Sequence, residues 1–261
     1  MIDYILIQHK KWLIILAVLV LVTIVEIVAD RSRARSGWAN RIFNIGAGSI
    51  LLVLGGYMGF QLTVALERLN IFPEATLNTL AYVLLFVLMQ DLVYYFYHRL
   101  QHSWPWLWGI HKFHHTDSDV NITTSYRTHV LEQPLQTLLI SVPVVLFLGY
   151  HQQGFFLVTF INLFFLYIGH VRLNLNLGPL GHIFVGPRFH HVHHSTRPEH
   201  VNRNFAQFFP FLDRIFGTYA TPESINDVRT GVPECTTRRD QWLPMIWPFG
   251  ILRAAHKRPA S

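Results

Sequence analysis

Long apolar runs are the feature that most restricts the folds open to this chain. Two of them, residues 42–66 and 75–97, can cross about 30 Å of hydrocarbon at about 1.5 Å per helical residue. A third run, residues 12–29, follows Lys10 and Lys11 and lacks a small-residue cleavage site. It is therefore predicted to be a retained membrane helix rather than a signal peptide. The chain is predicted to be an integral membrane protein.

Two shorter apolar runs, residues 135–149 and 154–169, are separated by only four residues. This spacing predicts a helical hairpin, and Pro143 is expected to kink its first arm. The predicted fold class is an all-α integral membrane protein with about five transmembrane helices, the last two of which form a short hairpin. A histidine-rich helical cap is expected on the cytosolic side.

Positive charges indicate the side of the membrane on which each loop lies. With five crossings most of the basic residues share one side, which the positive-inside rule makes cytoplasmic, whereas Lys10 and Lys11 fall on the other. The cytoplasmic set comprises Arg31, Arg33, Arg35, Arg41, Arg99, Lys112, Arg127, Arg172, Arg188, Arg197 and Arg203. Because apolar spans separate these residues, the net charge of +6 does not indicate nucleic-acid binding. A bacterial inner membrane or the endoplasmic reticulum is the predicted location.

Histidines are concentrated where the apolar runs end. Of the sixteen in the chain, fourteen lie between residues 98 and 200. Spacings of i, i+3 and i, i+4 place several of these imidazoles on shared helix faces, and two crossings return the later groups to the side of the earlier ones. The nine histidines in these groups are His98, His102, His111, His114, His115, His170, His190, His193 and His194.

Nine imidazoles are more than one metal ion needs, because a catalytic ion usually takes three or four protein ligands and keeps one position open. Two adjacent ions fit the number. The single cysteine, Cys235, excludes a cysteine-based site, and imidazole suits zinc, iron, copper or nickel. Redox-active iron supplied with electrons favours O2 chemistry on the unreactive C–H bonds of lipids, whereas zinc cannot change its oxidation state. Haem would use only one or two of the histidines.

Asp91 lies inside the apolar run at 75–97, seven residues before His98. An ionised carboxylate is costly in lipid, and two helical turns place it on the face that carries His98. Asp91 is predicted to accept a hydrogen bond from the free N–H group of a ligand imidazole. An ion pair with Arg99 or with another cytoplasmic arginine is the alternative.

The order of the histidine motifs resembles one protein family. The segments HRLQH, HKFHH, GHVRLN and HHVHHS, followed by NFAQFFPFLDRIFGTY at 204–219, resemble the fatty acid hydroxylase/sterol desaturase superfamily of membrane di-iron oxygenases. The resemblance implies that the nine histidines bind two non-haem irons, which zinc can replace in a purified sample. It also implies O2, an external electron donor and a membrane lipid, either an acyl chain, a sterol or another isoprenoid, that is hydroxylated or desaturated. The implied organisation is N-terminal transmembrane helices at 1–80, a catalytic domain at 81–220 and a C-terminal tail at 221–261.

A further segment, TTSYRTHVLEQP, resembles the Arg-x-His-Pro-x-Glu stretch of many bacterial members, with Val130 at the proline position. The resemblance implies that Arg127, His129 and Glu132 orient ligand imidazoles or position the substrate. An ordinary helix N-terminus with a nearby carboxylate is the alternative.

Two positions depart from the family pattern. Some members carry a further histidine four residues after the counterpart of His170, and this chain has Asn174 there. Asn174 is expected to hydrogen-bond a metal-bound water. The second departure is NFA at Asn204 to Ala206, where Asn-Tyr-Gly is common.

Two other classes of function fit the histidines. A histidine-rich metal carrier or sensor would exchange metal reversibly and tolerate the loss of one ligand, although transport sites usually lie at membrane depth. A dizinc hydrolase would keep the same ligands and act without O2. Oxygen dependence therefore separates an oxidoreductase from a hydrolase.

Overall fold

Helices form the regular structure of the part of the chain that the computed structural model describes, which comprises residues 20–29, 34–69, 71–235 and 237–246. No β-strand occurs among these residues, which form only two isolated bridges. Residues 12–19 of the first predicted span lie outside the described residues, as do Lys10, Lys11, Arg31 and Arg33. The prediction of a mainly helical protein is confirmed.

Three helices are long and apolar enough to cross a membrane. They are α2 (Ala34–Arg68), α3 (Thr79–Ser103) and α7 (Gln152–His170). Two shorter apolar segments, α1 (Val20–Ala29) and Glu132–Leu148, coincide with parts of the first and fourth predicted spans. These three helices are consistent with a membrane protein, and five crossings stay a prediction.

Shorter helices lie between the long ones and after them. They are α4 (Pro105–His115), α5 (Glu132–Gln136), α6 (Val142–Leu148), α8 (Pro187–His193), α9 (Phe211–Ile215) and α10 (Arg238–Ile246). Three short 3₁₀ turns cover Ile122–Tyr126, Gly178–His182 and Pro198–His200. Trp242 of α10 stacks on Phe43 of α2 with a centroid distance of 4.2 Å, so this part of the predicted tail packs against the helices.

A π-helical turn, Thr137–Ser141, separates α5 from α6. In it the Val142 N–H group donates to the Thr137 carbonyl, and Pro143, which has no N–H group, follows at the start of α6. The interruption expected at Pro143 therefore takes the form of a local change in helical hydrogen bonding. Such turns often occur at functional sites.

Local sequence determines both ends of α3. The Asn78 side chain caps the N-terminus by accepting a hydrogen bond from the Ala81 N–H group at 3.0 Å. At the other end Pro105 disfavours helical geometry for Trp104, which is extended with φ −96° and ψ 119°. The helix ends at Ser103, and α4 packs back against α3.

Two apolar clusters connect α3 to the helices around it. The lower cluster, at the N-terminal half of α3, contains Tyr82, Phe86, Val87, Val144, Val145, Val158 and Phe208. The upper cluster, at the C-terminal half of α3, contains Tyr95, Val185, Phe189, Phe205, Ala206 and Leu212. Large apolar side chains on the outer surface stay exposed, including Leu80 and Phe160 at 70% and 67%, as contact with lipid requires. The clusters hold α3, α6, α7 and α8 together around the histidine-bearing ends of α3 and α7.

Candidate metal centre

The nine histidines singled out in the sequence lie together in two groups at the ends of α3 and α7. In each group one ring nitrogen of every histidine lies within 4.8 Å of the others, so that each group can hold a metal ion. The five-histidine group contains His98, His102, His111, His115 and His193. The four-histidine group contains His114, His170, His190 and His194. Their role as metal ligands stays a prediction.

The HxxHH motifs serve both groups because of helical spacing. In α4 the i, i+4 pair His111 and His115 belongs to the five-histidine group, while His114 faces the four-histidine group. At α8 the arrangement is reversed. The i, i+4 pair His190 and His194 belongs to the four-histidine group, while His193 belongs to the five-histidine group. Each motif thus spans the boundary between two adjacent sites.

Backbone carbonyls outside the groups orient four of the rings. The Nδ1–carbonyl pairs are His98 with Phe205 at 2.8 Å, His114 with Arg127 at 3.2 Å, His170 with Leu166 at 2.7 Å and His193 with Arg203 at 2.9 Å. A carbonyl oxygen can only accept, so Nδ1 of each ring carries the proton. The Nε2 atom of each neutral ring therefore presents a lone pair to the interior of its group.

Lone pairs of neighbouring rings face each other at close range. The Nε2 atoms of His114 and His170 are 3.0 Å apart. Those of His98 and His111 are 3.1 Å apart, and Nδ1 of His111 faces the Glu132 carboxylate at 3.4 Å, which leaves its Nε2 atom as the one with the lone pair. Such lone pairs repel, whereas two nitrogens bound to one ion at about 2.1 Å and at right angles lie about 3 Å apart. The donor set therefore fits a bound cation in each group.

Burial keeps the imidazoles outside the spans uncharged. Burial, followed by the neighbouring histidines, lowers the pKa well below its usual value for His114, His115, His190 and His194. Burial also lowers the pKa of His193 to about 3. The Nε2 atoms of His102 and His193 are buried and have no hydrogen-bond partner among the described residues. A metal ion would satisfy these nitrogens.

Glu132 lies beside the five-histidine group, where its carboxylate is 3.4 Å from Nδ1 of His111. Gln101 and Gln136 donate to the same carboxylate oxygen at 2.5 and 3.3 Å. Glu132 is thus placed to orient His111. The buried Gln101 was not singled out from the sequence, where its position between His98 and His102 is the available signal.

Arg127 and His129 contact the histidine groups less directly. The Arg127 carbonyl accepts from His114, while the buried guanidinium donates to Thr116 at 2.8 Å. Nδ1 of His129 accepts from the Leu131 N–H group at 3.2 Å, and burial lowers the pKa of His129. Arg127 therefore positions His114 through its backbone, and His129 holds the turn before α5.

The structure corrects the predicted role of Asp91, which contacts no imidazole. Its carboxylate accepts from the N–H groups of Gln207, Phe208 and Phe209 at 2.8, 3.2 and 2.7 Å. The segment that contains these residues lies along α3 and occupies both carboxylate oxygens. The predicted bond to a ligand imidazole is therefore wrong, and the alternative pair with Arg99 is not formed either.

The structure also corrects the expectation for Asn174, which is exposed and lies away from the groups. Its side-chain oxygen accepts from Nε of Arg188 at 2.9 Å and from the Ile225 N–H group at 3.3 Å. Helix α7 ends at His170, so helical spacing no longer places a residue four positions later beside that ring. Asn174 is not positioned to bind a metal-bound water.

The segment after α8 presents the carbonyl that orients His98. Asn204 has φ 59°, a left-handed conformation that asparagine tolerates. The buried Asp213 accepts from the N–H groups of Phe205 at 2.8 Å and Ala206 at 2.9 Å. Asp213 was not singled out from the sequence, although it is the one acidic residue in the closing motif at 204–219. Together these contacts hold the Phe205 carbonyl against His98.

A cavity of about 290 Å³ lies between α3, α7 and the Glu132–Leu148 segment and reaches both histidine groups. His98, His114 and His170 are among the residues that line its upper end. Phe86 and Val158 line its lower, apolar end. A cavity of this kind suits an elongated ligand whose reactive part lies at the histidines.

Known proteins that resemble this chain include a monooxygenase and two hydroxylases. A model of the family described as fatty acid hydroxylase matches residues 83–218. An alkylglycerol monooxygenase from Danio rerio is 34% identical over 134 residues, which cover 51% of this chain and 29% of the relative. An ornithine lipid hydroxylase from Rhizobium tropici is 27% identical over 150 residues, covering 58% and 45%. A cholesterol 25-hydroxylase from Homo sapiens is 30% identical over 156 residues, covering 57% and 54%. The matched region covers less than two thirds of each relative, and no solved structure matches the chain.

Proposed function

Because the chain belongs to the fatty acid hydroxylase family, as its histidine motifs suggested, we propose that it is a membrane di-iron oxidoreductase that uses O2 to hydroxylate or desaturate a lipid. The observation that carries the proposal is the close approach of inward-facing Nε2 lone pairs, at 3.0 Å between His114 and His170. The relatives named for alkylglycerol, ornithine lipid and cholesterol support a lipid substrate.

Each histidine group would hold one iron. The irons, when bound, supply the redox chemistry that activates O2 against a C–H bond. Imidazole also binds zinc, which can occupy the same groups in a purified sample without supplying that chemistry.

The chain's own residues fix the ligands. A hydrogen bond from Nδ1 to a carbonyl or carboxylate orients five of the nine rings and increases the basicity of their Nε2 atoms. Glu132 has this role for His111, and the Arg127 carbonyl has it for His114. His129 supports Glu132 indirectly, because it accepts from the N–H group of the residue before that carboxylate.

The cavity would bind the lipid so that one carbon lies at the histidine groups. Its apolar lower wall excludes water and suits a hydrocarbon chain that enters from the bilayer. An external electron donor would reach the histidine side from the cytoplasm. This arrangement requires the five crossings and the cytosolic cap predicted from the charges.

Replacement of His114 by alanine tests the function. Membranes that contain the wild-type chain, given O2 and a reductant, should convert a lipid to a product that has gained one oxygen atom or lost two hydrogens. His114→Ala should abolish the product, since it removes a nitrogen from the four-histidine group. His182→Ala is the matched control, because His182 is exposed and bonds to Arg214 outside both groups.

Near-normal product from the His114→Ala protein would contradict the assignment. A product formed without O2 would indicate a dizinc hydrolase instead. Reversible metal exchange with no lipid product would indicate a carrier.

A further inference from the structure

Part of the cavity wall below the histidine groups is polar. Gln90 of α3, Asn162 of α7 and Gln207 all line the cavity. Gln90 and Asn162 each lie eight residues before a group histidine, His98 and His170, which places them about 12 Å lower along their helices. Polar side chains at membrane depth are costly and are commonly functional.

Hydrogen bonds determine which way each of these amides points. Nδ2 of Asn162 donates to the Val158 carbonyl at 3.1 Å and to Oε1 of Gln90 at 3.1 Å. Oδ1 of Asn162 therefore accepts, from Nε2 of Gln90 at 2.7 Å and from Nε2 of Gln207 at 3.3 Å. Oε1 of Gln207 remains an acceptor that has no donor among the described residues. The network joins the helices and still leaves one acceptor beside the cavity.

The Tyr94 hydroxyl is a second polar group that the fold leaves unused. Tyr94 lines the cavity, and its ring centroid lies 5.1 Å from that of His98. It precedes His98 by one helical turn, about 6 Å along the axis. No described residue forms a hydrogen bond with its hydroxyl group. The cavity thus offers a hydroxyl that can donate and, at Gln207, a carbonyl that can only accept.

We propose that the lipid carries a hydroxyl or amide group that accepts a hydrogen bond from Tyr94 and donates one to Oε1 of Gln207. The inference rests on the proposed function and specifies its substrate class. A plain hydrocarbon chain leaves both protein groups without a partner, and an ether or ester oxygen serves only Tyr94 because it cannot donate. The group that is bound lies within about 12 Å of the carbon presented to the histidines.

Lipid binding to the full-length protein in detergent, measured by native mass spectrometry without O2 or reductant, tests the inference. One pair of probes is hexadecylglycerol and its derivative with both hydroxyls methylated. The other pair is N-hexadecanoylglycine and its N-methyl derivative. Each hydrogen bond is expected to contribute about fivefold in affinity. Capping removes the donor to Gln207 and keeps the oxygen that accepts from Tyr94. The uncapped member of at least one pair should therefore bind about fivefold more tightly than the capped member, and that pair identifies whether a hydroxyl or an amide is recognised.

Gln207→Leu should abolish this preference, whereas Tyr94→Phe should weaken the binding of both members of the pair about fivefold and leave their ratio unchanged. Tyr95→Phe should change neither the preference nor the affinities, because the Tyr95 hydroxyl bonds to Thr218 at 2.7 Å and does not line the cavity. Equal binding within both pairs by the wild-type protein would overturn the inference, as would a preference that survives Gln207→Leu or an affinity for both members that Tyr94→Phe leaves unchanged. Since no turnover is needed, an inactive wild-type enzyme would count against the proposed function and leave the binding result intact.

Discussion

Replacing Asp91 by asparagine should destabilise the protein even though the two side chains have nearly the same size. One carboxylate oxygen accepts from the Gln207 N–H group at 2.8 Å, and the other accepts from Phe208 and Phe209 at 3.2 and 2.7 Å. Three donors surround two oxygens, and asparagine has only one oxygen to offer. In its most favourable orientation the asparagine side chain keeps its oxygen on the N–H groups of Phe208 and Phe209. Its NH₂ group then faces the N–H group of Gln207, so that two donors oppose each other.

The expected loss follows from the number of bonds. A hydrogen bond to a charged acceptor contributes about 1.5–3 kcal/mol, and the two retained bonds weaken when the charge is removed. Asp91→Asn should therefore lower the free energy of unfolding by about 3 kcal/mol. Because the Gln207–Phe209 segment begins two residues after Phe205, whose carbonyl orients His98, the variant should also retain less metal.

Thermal unfolding in detergent and metal content per chain measure both effects. Asp240→Asn is the control, because Asp240 is exposed on α10 and bonds only locally, to Thr237. If Asp91→Asn unfolds at the wild-type temperature and keeps its full metal content, the structural role assigned to Asp91 is wrong.

Three further predictions concern packing, ligand orientation and pH. Gly48→Ala should destabilise the fold by about 1–3 kcal/mol, because the added Cβ would lie too close to the Tyr126 carbonyl oxygen. Gly46→Ala is the control: its added Cβ meets nothing within 4 Å, so the melting temperature should stay the same or rise. Glu132→Gln should weaken metal binding about 10- to 100-fold in a chelator competition, because it removes the charged partner of His111, and unchanged affinity would contradict this role. The metal-free protein should lose stability as the pH falls below about 6.5, because histidines whose pKa is lowered in the folded state are protonated first in the unfolded chain. Melting curves from about pH 8 to about pH 5 test whether the stability falls with the pH, and a melting temperature that does not change over this range would contradict the prediction.

The sequence alone was sufficient to identify which histidines lie together. Regular spacing within α4 and α8 and the two predicted crossings between the motifs are local properties that a single sequence displays. The division of each HxxHH motif between two groups follows from the same spacing, because i and i+4 share a helix face more closely than i and i+3 do. The family resemblance rested on these motifs, and the family match over residues 83–218 confirms it.

Residues outside the motifs could not be assigned this way, because their partners come from distant parts of the chain. Asp91 shares a helix with His98, yet its donors lie 116 to 118 residues away. Asn174 was assigned by extending helical spacing beyond the end of α7, which closes at His170. The carbonyls that orient the rings belong to residues such as Phe205, whose side-chain type says nothing about the role of its backbone.

The amount of iron bound per chain shows whether the two histidine groups hold two metal ions. Protein loaded with iron under anaerobic conditions and purified in detergent should contain two irons per chain by mass spectrometry of the metal. A variant with both His98→Ala and His114→Ala, which removes one ligand from each group, should retain far less. Wild-type protein that holds no more iron than this variant would contradict the account.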